Sequence, residues 1–451
     1  MHGASISRWT MAYFAASLAF LMSGLVLMGC GYGLPIGALG TPETLAVLHV
    51  IAVGWLGLLF AGALLQFVPV LAATHLRLPW LAGPALVLLI LGLAVLSLGF
   101  TALSGRITLH LEVMPLGGVF LSSGFTMLTV SLATTIIAEK SFDVPGILVL
   151  SGLAGLVATA LTGSVFAGVL SGLVDFPDVA LRLSDLAPFH AASGLLGWMT
   201  ITAVGVSYRL FAMFLLAPEV KGSSRRTVST ALCALLFLCA AVASGLHGTS
   251  FSAMSTAVAV LATGVSTVFY VIDVWRMFRA RRRKVLELNS VAGLVALGFL
   301  VAGVALLQLA WFSGVSIPVG TAAFYALALG WLSGLGLSQL FKIVPFLTWL
   351  ETYGPVMGRG AVPRVQDLVN ERRARGWFVI FYLSVTVGAG AILADAGLFL
   401  QAASLCQGAA VIGLAVEYLR ARRLIYAPAD VRLPDGAVMP RLFYAKTNHQ
   451  E

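Results

Sequence analysis

Long apolar runs, each broken by a short polar or Gly/Pro-containing turn, set the rhythm of this chain. A helix needs roughly 20 apolar residues to cross the hydrocarbon layer. Twelve segments meet that length: about 11–30, 45–72, 80–103, 111–138, 145–173, 187–217, 227–247, 250–275, 288–313, 317–346, 376–396 and 399–419. None alternates with period two, so strands are not expected. The first run is as short as a signal peptide's apolar region, but it lacks a small-residue cleavage site and spans follow it. It is therefore read as the first helix. The fold class expected is an all-α polytopic membrane protein. One transmembrane domain covers 1–426, and a cytoplasmic tail covers 427–451.

Composition agrees, with 59% hydrophobic and 10% charged residues, where soluble domains carry about 25% charge. The placement of charge adds orientation. With the N-terminus inside, 23 of the 27 Lys and Arg fall in cytoplasmic loops and tails, including the run Arg281, Arg282, Arg283 and Lys284. Only Arg106 and Arg182 fall outside, and Arg209 and Lys342 lie within predicted helices. This is the positive-inside pattern, and it places both termini in the cytoplasm of an inner-membrane protein. The basic run thus reads as a loop facing anionic lipid, with no nucleic-acid partner implied. Cys30, Cys233, Cys239 and Cys406 form no paired motif.

A repeat lies beneath the twelve segments. Gly54-Trp55, Gly197-Trp198 and Gly330-Trp331 occur in segments two, six and ten, separated by 143 and 133 residues. Eleven residues after each Trp stands a polar group: Gln66, Arg209 and Lys342. Fourteen after the first and third stand Pro69 and Pro345. Gly376-Trp377 lacks this pattern. Three four-helix units follow, at about 11–144, 145–286 and 287–424. They should surround a pseudo-threefold axis with segments two, six and ten innermost.

Candidate chemistry sits at the outer level. Of seven histidines, His49, His110, His190 and His247 all fall on the outer side of this topology. Imidazole inside a membrane helix is costly, faces the bundle interior and ligates metal or haem iron. Bonding to a helix-end carbonyl is the alternative use of each ring. Arg209 and Lys342 also leave two readings open. They snorkel toward headgroups, or they join Gln66 and Tyr208 in a polar cluster. At least one is expected to point inward.

Twelve helices, a three-by-four repeat and histidines near the outer ends of segments two, six and seven resemble subunit I of the haem-copper oxidases. The resemblance spans nearly the whole chain in architecture and few residues in detail. It implies that His49 is a haem axial ligand and that His190 and His247 are copper ligands. "ATGVS" at 262–266 is similar to that family's proton-channel motif. The departures are specific. The family's His-x-His-Tyr falls on Ala322, Ala323, Phe324 and Tyr325, its second helix 7 histidine on Gly248, its helix 8 lysine on Ser266 and its cross-linked tyrosine on Gly194. A two-haem, proton-pumping oxygen reductase is therefore not expected. The NnrS family, haem- and copper-containing membrane proteins linked to nitric oxide tolerance, is a related comparison. Its His-x-His-Glu-Met motif is absent, because Val50 follows His49.

Two functions follow as expectations. The first is an oxidase-like protein holding haem, copper or both, for handling a diatomic gas (NO or O2), electron transfer from a donor, or metal handling. The second is a twelve-helix secondary transporter using Arg209 and Lys342. Its weakness is the four-helix period, since common transporters repeat every three or six. The topology has a direct check: reporter fusions at 281–284 should report cytoplasm, and an external signal there would reverse the assignment.

Overall fold

In a computed structural model, the structure describes residues 7–37, 39–220, 224–245, 250–314 and 317–444. Twelve helices are long and apolar enough to cross a membrane, and no strand occurs among the described residues. They are α1 (Thr10–Gly29), α2 (Pro42–Leu71), α3 (Pro79–Leu103), α4 (Val113–Ala138), α5 (Val144–Leu170) and α6 (Leu183–Leu215). The rest are α7 (Ser224–Ser244), α8 (Phe251–Arg279), α9 (Leu288–Phe312), α10 (Ile317–Val356), α11 (Glu371–Leu393) and α12 (Gly397–Arg422). Helix is the form in which each segment satisfies its own backbone in lipid. Local chemistry sets several starts. Thr41 caps α2 through Thr44 N, Asp143 caps α5 through Gly146 N, and Asn370 caps α11 through Arg373 N.

Burial separates an inner set from an outer ring. The apolar windows of α2, α6 and α10 are 72%, 78% and 78% buried, against at most 50% in the other nine helices. The outer helices pack in sequence, and α1 closes the ring against α12. The residues beyond α12 fold back on the bundle. Tyr353 Oη donates to the Arg432 carbonyl at 2.8 Å, and Trp9 meets Tyr444 edge-on at 5.3 Å. Both terminal segments therefore occupy one end of the bundle.

The repeat has a conformational signature. Each inner helix widens from α to π form for eight residues: Val50–Gly57, Ser193–Thr200 and Ala326–Ser333. The tryptophan is the sixth residue of every π segment, and the three segments touch one another at the centre. Trp55, Trp198 and Trp331 are all buried. The glycine before each lets a neighbour close in: Phe20 packs on Gly54, Leu235 on Gly197 and Phe299 on Gly330.

The three indoles differ in one respect. Trp55 Nε1 donates to Ser333 Oγ of the third unit at 2.8 Å. Ser333 is the last residue of its π segment; the matching residues are Gly57 and Thr200. Gly57 offers no acceptor, and a Cβ there would lie 3.6 Å from the Trp198 ring. Trp198 Nε1 and Trp331 Nε1 are both left without a hydrogen-bond partner. Gly57→Ser should gain helix propensity of about 0.5 kcal/mol, its Cβ lying near Cη2 of the Trp198 ring. Ser333→Ala should remove the acceptor of the Trp55 indole and cost about 1–3 kcal/mol. Thermal unfolding in detergent reads both. Equal midpoints for the two variants would mean that the Trp55–Ser333 bond contributes nothing.

Candidate functional site

Two histidines from different repeat units meet at the end of the bundle opposite the termini. His49 closes the first α-helical part of α2, directly before its π segment. His190 stands three residues before the π segment of α6. Relative to their tryptophans they are offset by six and eight residues, so they are not repeat equivalents. Their ring centroids are 6.3 Å apart with planes inclined by 24°. Phe100 lies 5.1 Å from the His49 ring and Phe166 lies 5.6 Å from the His190 ring.

Hydrogen bonding fixes which nitrogen of each ring is free. His49 Nδ1 lies 2.7 Å from the Leu45 carbonyl, which can only accept. The proton is therefore on Nδ1. His190 Nδ1 lies 2.9 Å from Thr162 Oγ1. When that hydroxyl donates its own proton to the Ala158 carbonyl at 2.9 Å or the Thr159 carbonyl at 3.1 Å, its oxygen accepts from His190 Nδ1–H. Both rings then carry Nε2 as a lone-pair nitrogen, the arrangement in which an orienting bond to one nitrogen readies the other for metal. Gly163 permits the approach of α5, since a Cβ there would lie 2.9 Å from His190 Cε1.

With metal–nitrogen distances of about 2.0–2.1 Å, two imidazoles on one ion hold their centroids roughly 5–6.5 Å apart. No cluster of three His, Cys, Asp or Glu suited to a metal occurs among the described residues. His247, expected as a copper ligand, lies outside the described residues. His110 is exposed in the loop before α4.

The four polar candidates at the other end are engaged separately. Gln66 Oε1 accepts from Ser7 N at 3.1 Å. Tyr208 Oη donates to Asp273 Oδ2 at 2.9 Å and also lies 2.9 Å from Thr227 Oγ1. Arg209 is exposed and pairs with Glu219. Lys342 is half-buried, and Glu287, with its Oε2 2.6 Å from Nζ, is its partner. Asp273, a carboxylate in α8 with 1% exposure, was not among the sequence candidates. Its signal was available: it is the one acidic residue in segment 250–275.

No protein-family model matches this chain, and no curated protein does.

The Lys342 partner sets a pH dependence. Burial pushes the Glu287 carboxyl up, but hydrogen bonds from Lys342 and Gln366 and the charges of Lys342 and Arg283 outweigh it and hold it below its ordinary value. A carboxyl depressed by folding stabilises the fold above its unfolded pKa, and that contribution is lost as pH falls through the folded value. Glu287→Gln should therefore lower the melting temperature at pH 7, and the gap to wild type should close under acid. A gap that is constant with pH would assign the loss to packing.

Proposed function

We propose that this protein is an oxidase-like membrane metalloprotein. Its His49–His190 pair holds a redox-active metal at the outer level of the bilayer, with both termini in the cytoplasm. The observation that supports this is the meeting of two Nδ1-anchored imidazoles from separate repeat units at 6.3 Å. Copper asks only for the two Nε2 atoms and is compatible with imidazole ligands. Haem iron would take His49 as its axial ligand, with His190 the neighbouring imidazole. Either metal would supply a redox couple or an open position for a diatomic gas. The role is then gas handling, electron transfer or metal handling, distinct from proton-pumping oxygen reduction.

The chain's own residues orient and shield this site. The Leu45 carbonyl and Thr162 hydroxyl set the tautomer of each ring, and Phe100 and Phe166 keep its flanks apolar. The transporter reading draws less support, because Arg209 and Lys342 are engaged in ion pairs with Glu219 and Glu287.

Metal analysis and oxidised and reduced optical spectra of the purified protein test the proposal. About one copper or one haem per chain is expected, with His49→Ala and His190→Ala each lowering the metal content about tenfold or more. A haem absorption band would name iron, and copper without that band would name the bare ion. A metal content unchanged by both variants, or no metal in wild type reconstituted with each, would defeat the proposal.

A further inference from the structure

The α7–α8 hairpin is the part of the ring most open to lipid, since its apolar windows are 28% and 33% buried, the lowest of the twelve. One face of α8 records its depth. Met254, Leu261, Val265, Val268 and Ile272 are all exposed, and their spacing puts them on one stripe at 3.6 residues per turn. From Met254 to Ile272 the stripe rises roughly 27 Å at 1.5 Å per residue, close to the about 30 Å of bilayer hydrocarbon.

The same face continues, toward the end of the bundle that holds the termini, with exposed Trp275 and then with exposed Arg276 and Arg279. Aliphatic, indole and guanidinium groups thus succeed one another in the order of acyl chain, interface and headgroup. Trp275 is braced at that level. It stacks on Phe278 at 5.8 Å with planes inclined by 16°, and the Arg281 guanidinium lies 4.0 Å from the Phe278 ring. The basic run at 281–284 is partly engaged here: Arg281 also donates to the Phe278 carbonyl, and Arg283 pairs with Glu287. The N–H groups of Arg282 and Arg283 donate to the Leu216 and Leu215 carbonyls at the end of α6.

The start of α7 lies deeper than the end of α8. Ser266 Oγ donates to the Thr227 carbonyl at 3.2 Å, and the Arg226 guanidinium lies 5.9 Å from the Phe269 ring. The first turn of α7 is therefore level with Phe269, six residues before Trp275. That is roughly 9 Å on the hydrocarbon side of the indole. Arg225 and Arg226 are exposed at this depth. Among the described residues no acidic side chain pairs with Arg225, Arg226 or Arg279, whereas Arg276 has Asp273 at 3.5 Å. A guanidinium facing hydrocarbon is costly, and it reaches for headgroups or for an anion. At the matching corner of the first unit Arg77 pairs with Glu139. The matching ends of α11 and α12 carry exposed arginines but no exposed aromatic ring.

We propose that the corner between the first turn of α7 and the last turns of α8 binds the phosphate of an anionic phospholipid. Arg225, Arg226 and Arg279 supply the charge, and the exposed stripe ending at Ile272 and Trp275 receives the acyl chain. The guanidinium fork matches phosphate oxygens. A zwitterionic headgroup would bring its own ammonium against three guanidiniums, so the site selects a net negative lipid. A free phosphate shares the headgroup chemistry but leaves the apolar stripe unused.

Native mass spectrometry of the full chain tests this, with phosphatidylglycerol and phosphatidylcholine of identical acyl chains and glycerol 3-phosphate as the tail-less probe. Phosphatidylglycerol should bind about tenfold more tightly than phosphatidylcholine. Arg226→Gln combined with Arg279→Gln should remove that preference. Arg359→Gln combined with Arg364→Gln, an equal loss of charge away from the hairpin, should leave it in place. All four side chains are exposed, so both double variants should fold. Photoactivatable phosphatidylglycerol in nanodiscs should label α7 and α8 peptides above those of the other helices. Equal binding of the two lipids would overturn the proposal, as would equal losses in the two double variants or labelling spread evenly round the bundle. Glycerol 3-phosphate competing as well as the lipid would overturn it in favour of a soluble phosphate.

Discussion

Three indole rings share the centre of this bundle, and each must fit where three helices converge. An α-helix carrying Trp at its closest approach to two others would hold them apart. The chain meets this with a glycine before each Trp and with a π turn around it, which changes the direction in which the ring leaves the helix. Lipid offers no hydrophobic force between helices, so close packing of such small and large residues must hold the assembly together. The nine outer helices then wrap an interior whose shape the Gly-Trp pairs set. The units are alike in this backbone device and unlike in how the indole N–H is met, which makes the centre asymmetric.

That asymmetry extends to the two ends of the bundle. Charges cluster at the end holding the termini, where Arg422 and Glu351 form a nearly buried pair at 2.5 Å and Lys342 meets Glu287. Arg422 also donates to the Arg441 carbonyl, which ties the segment after α12 to α10. Breaking one partner of such a pair leaves a buried charge, so this end is fixed by electrostatics. At the opposite end the two imidazoles are the polar groups held at the meeting of α2 with α6. Charge pairing at one end thus contrasts with a pair of hydrogen-bonded imidazoles at the other.

Much of this architecture was legible because membrane insertion writes itself into composition. Runs of about 20 apolar residues marked the spans, and Trp55, Trp198 and Trp331 at a four-helix spacing marked the inner helices. The π segments were hidden, since no residue type encodes an extra residue per turn. The sequence put His49 and His190 on one outer level, but the 6.3 Å between their rings and the Leu45 and Thr162 groups that hold them depend on tertiary packing that no local pattern encodes. Lys342 and Arg209 share a repeat position, yet one is half-buried and the other stays exposed. Their partners, Glu287 and Glu219, lie in connecting segments that the repeat does not constrain. Gly155, where a Cβ would meet the Gly197 backbone at 2.5 Å, is a tertiary match between two glycines among 48.

The matching registers of the three π segments bear on how the chain was assembled. A π turn holds one residue more than an α turn, so each segment amounts to a single inserted codon within an ancestral helix. Three independent insertions would have had to strike the same distance from Trp. One insertion, inherited when a four-helix gene was copied twice, needs only a single event. The histidines follow no such rule: they stand at unlike distances from Trp in two units and are missing from the third, so they lie outside what the repeat carries.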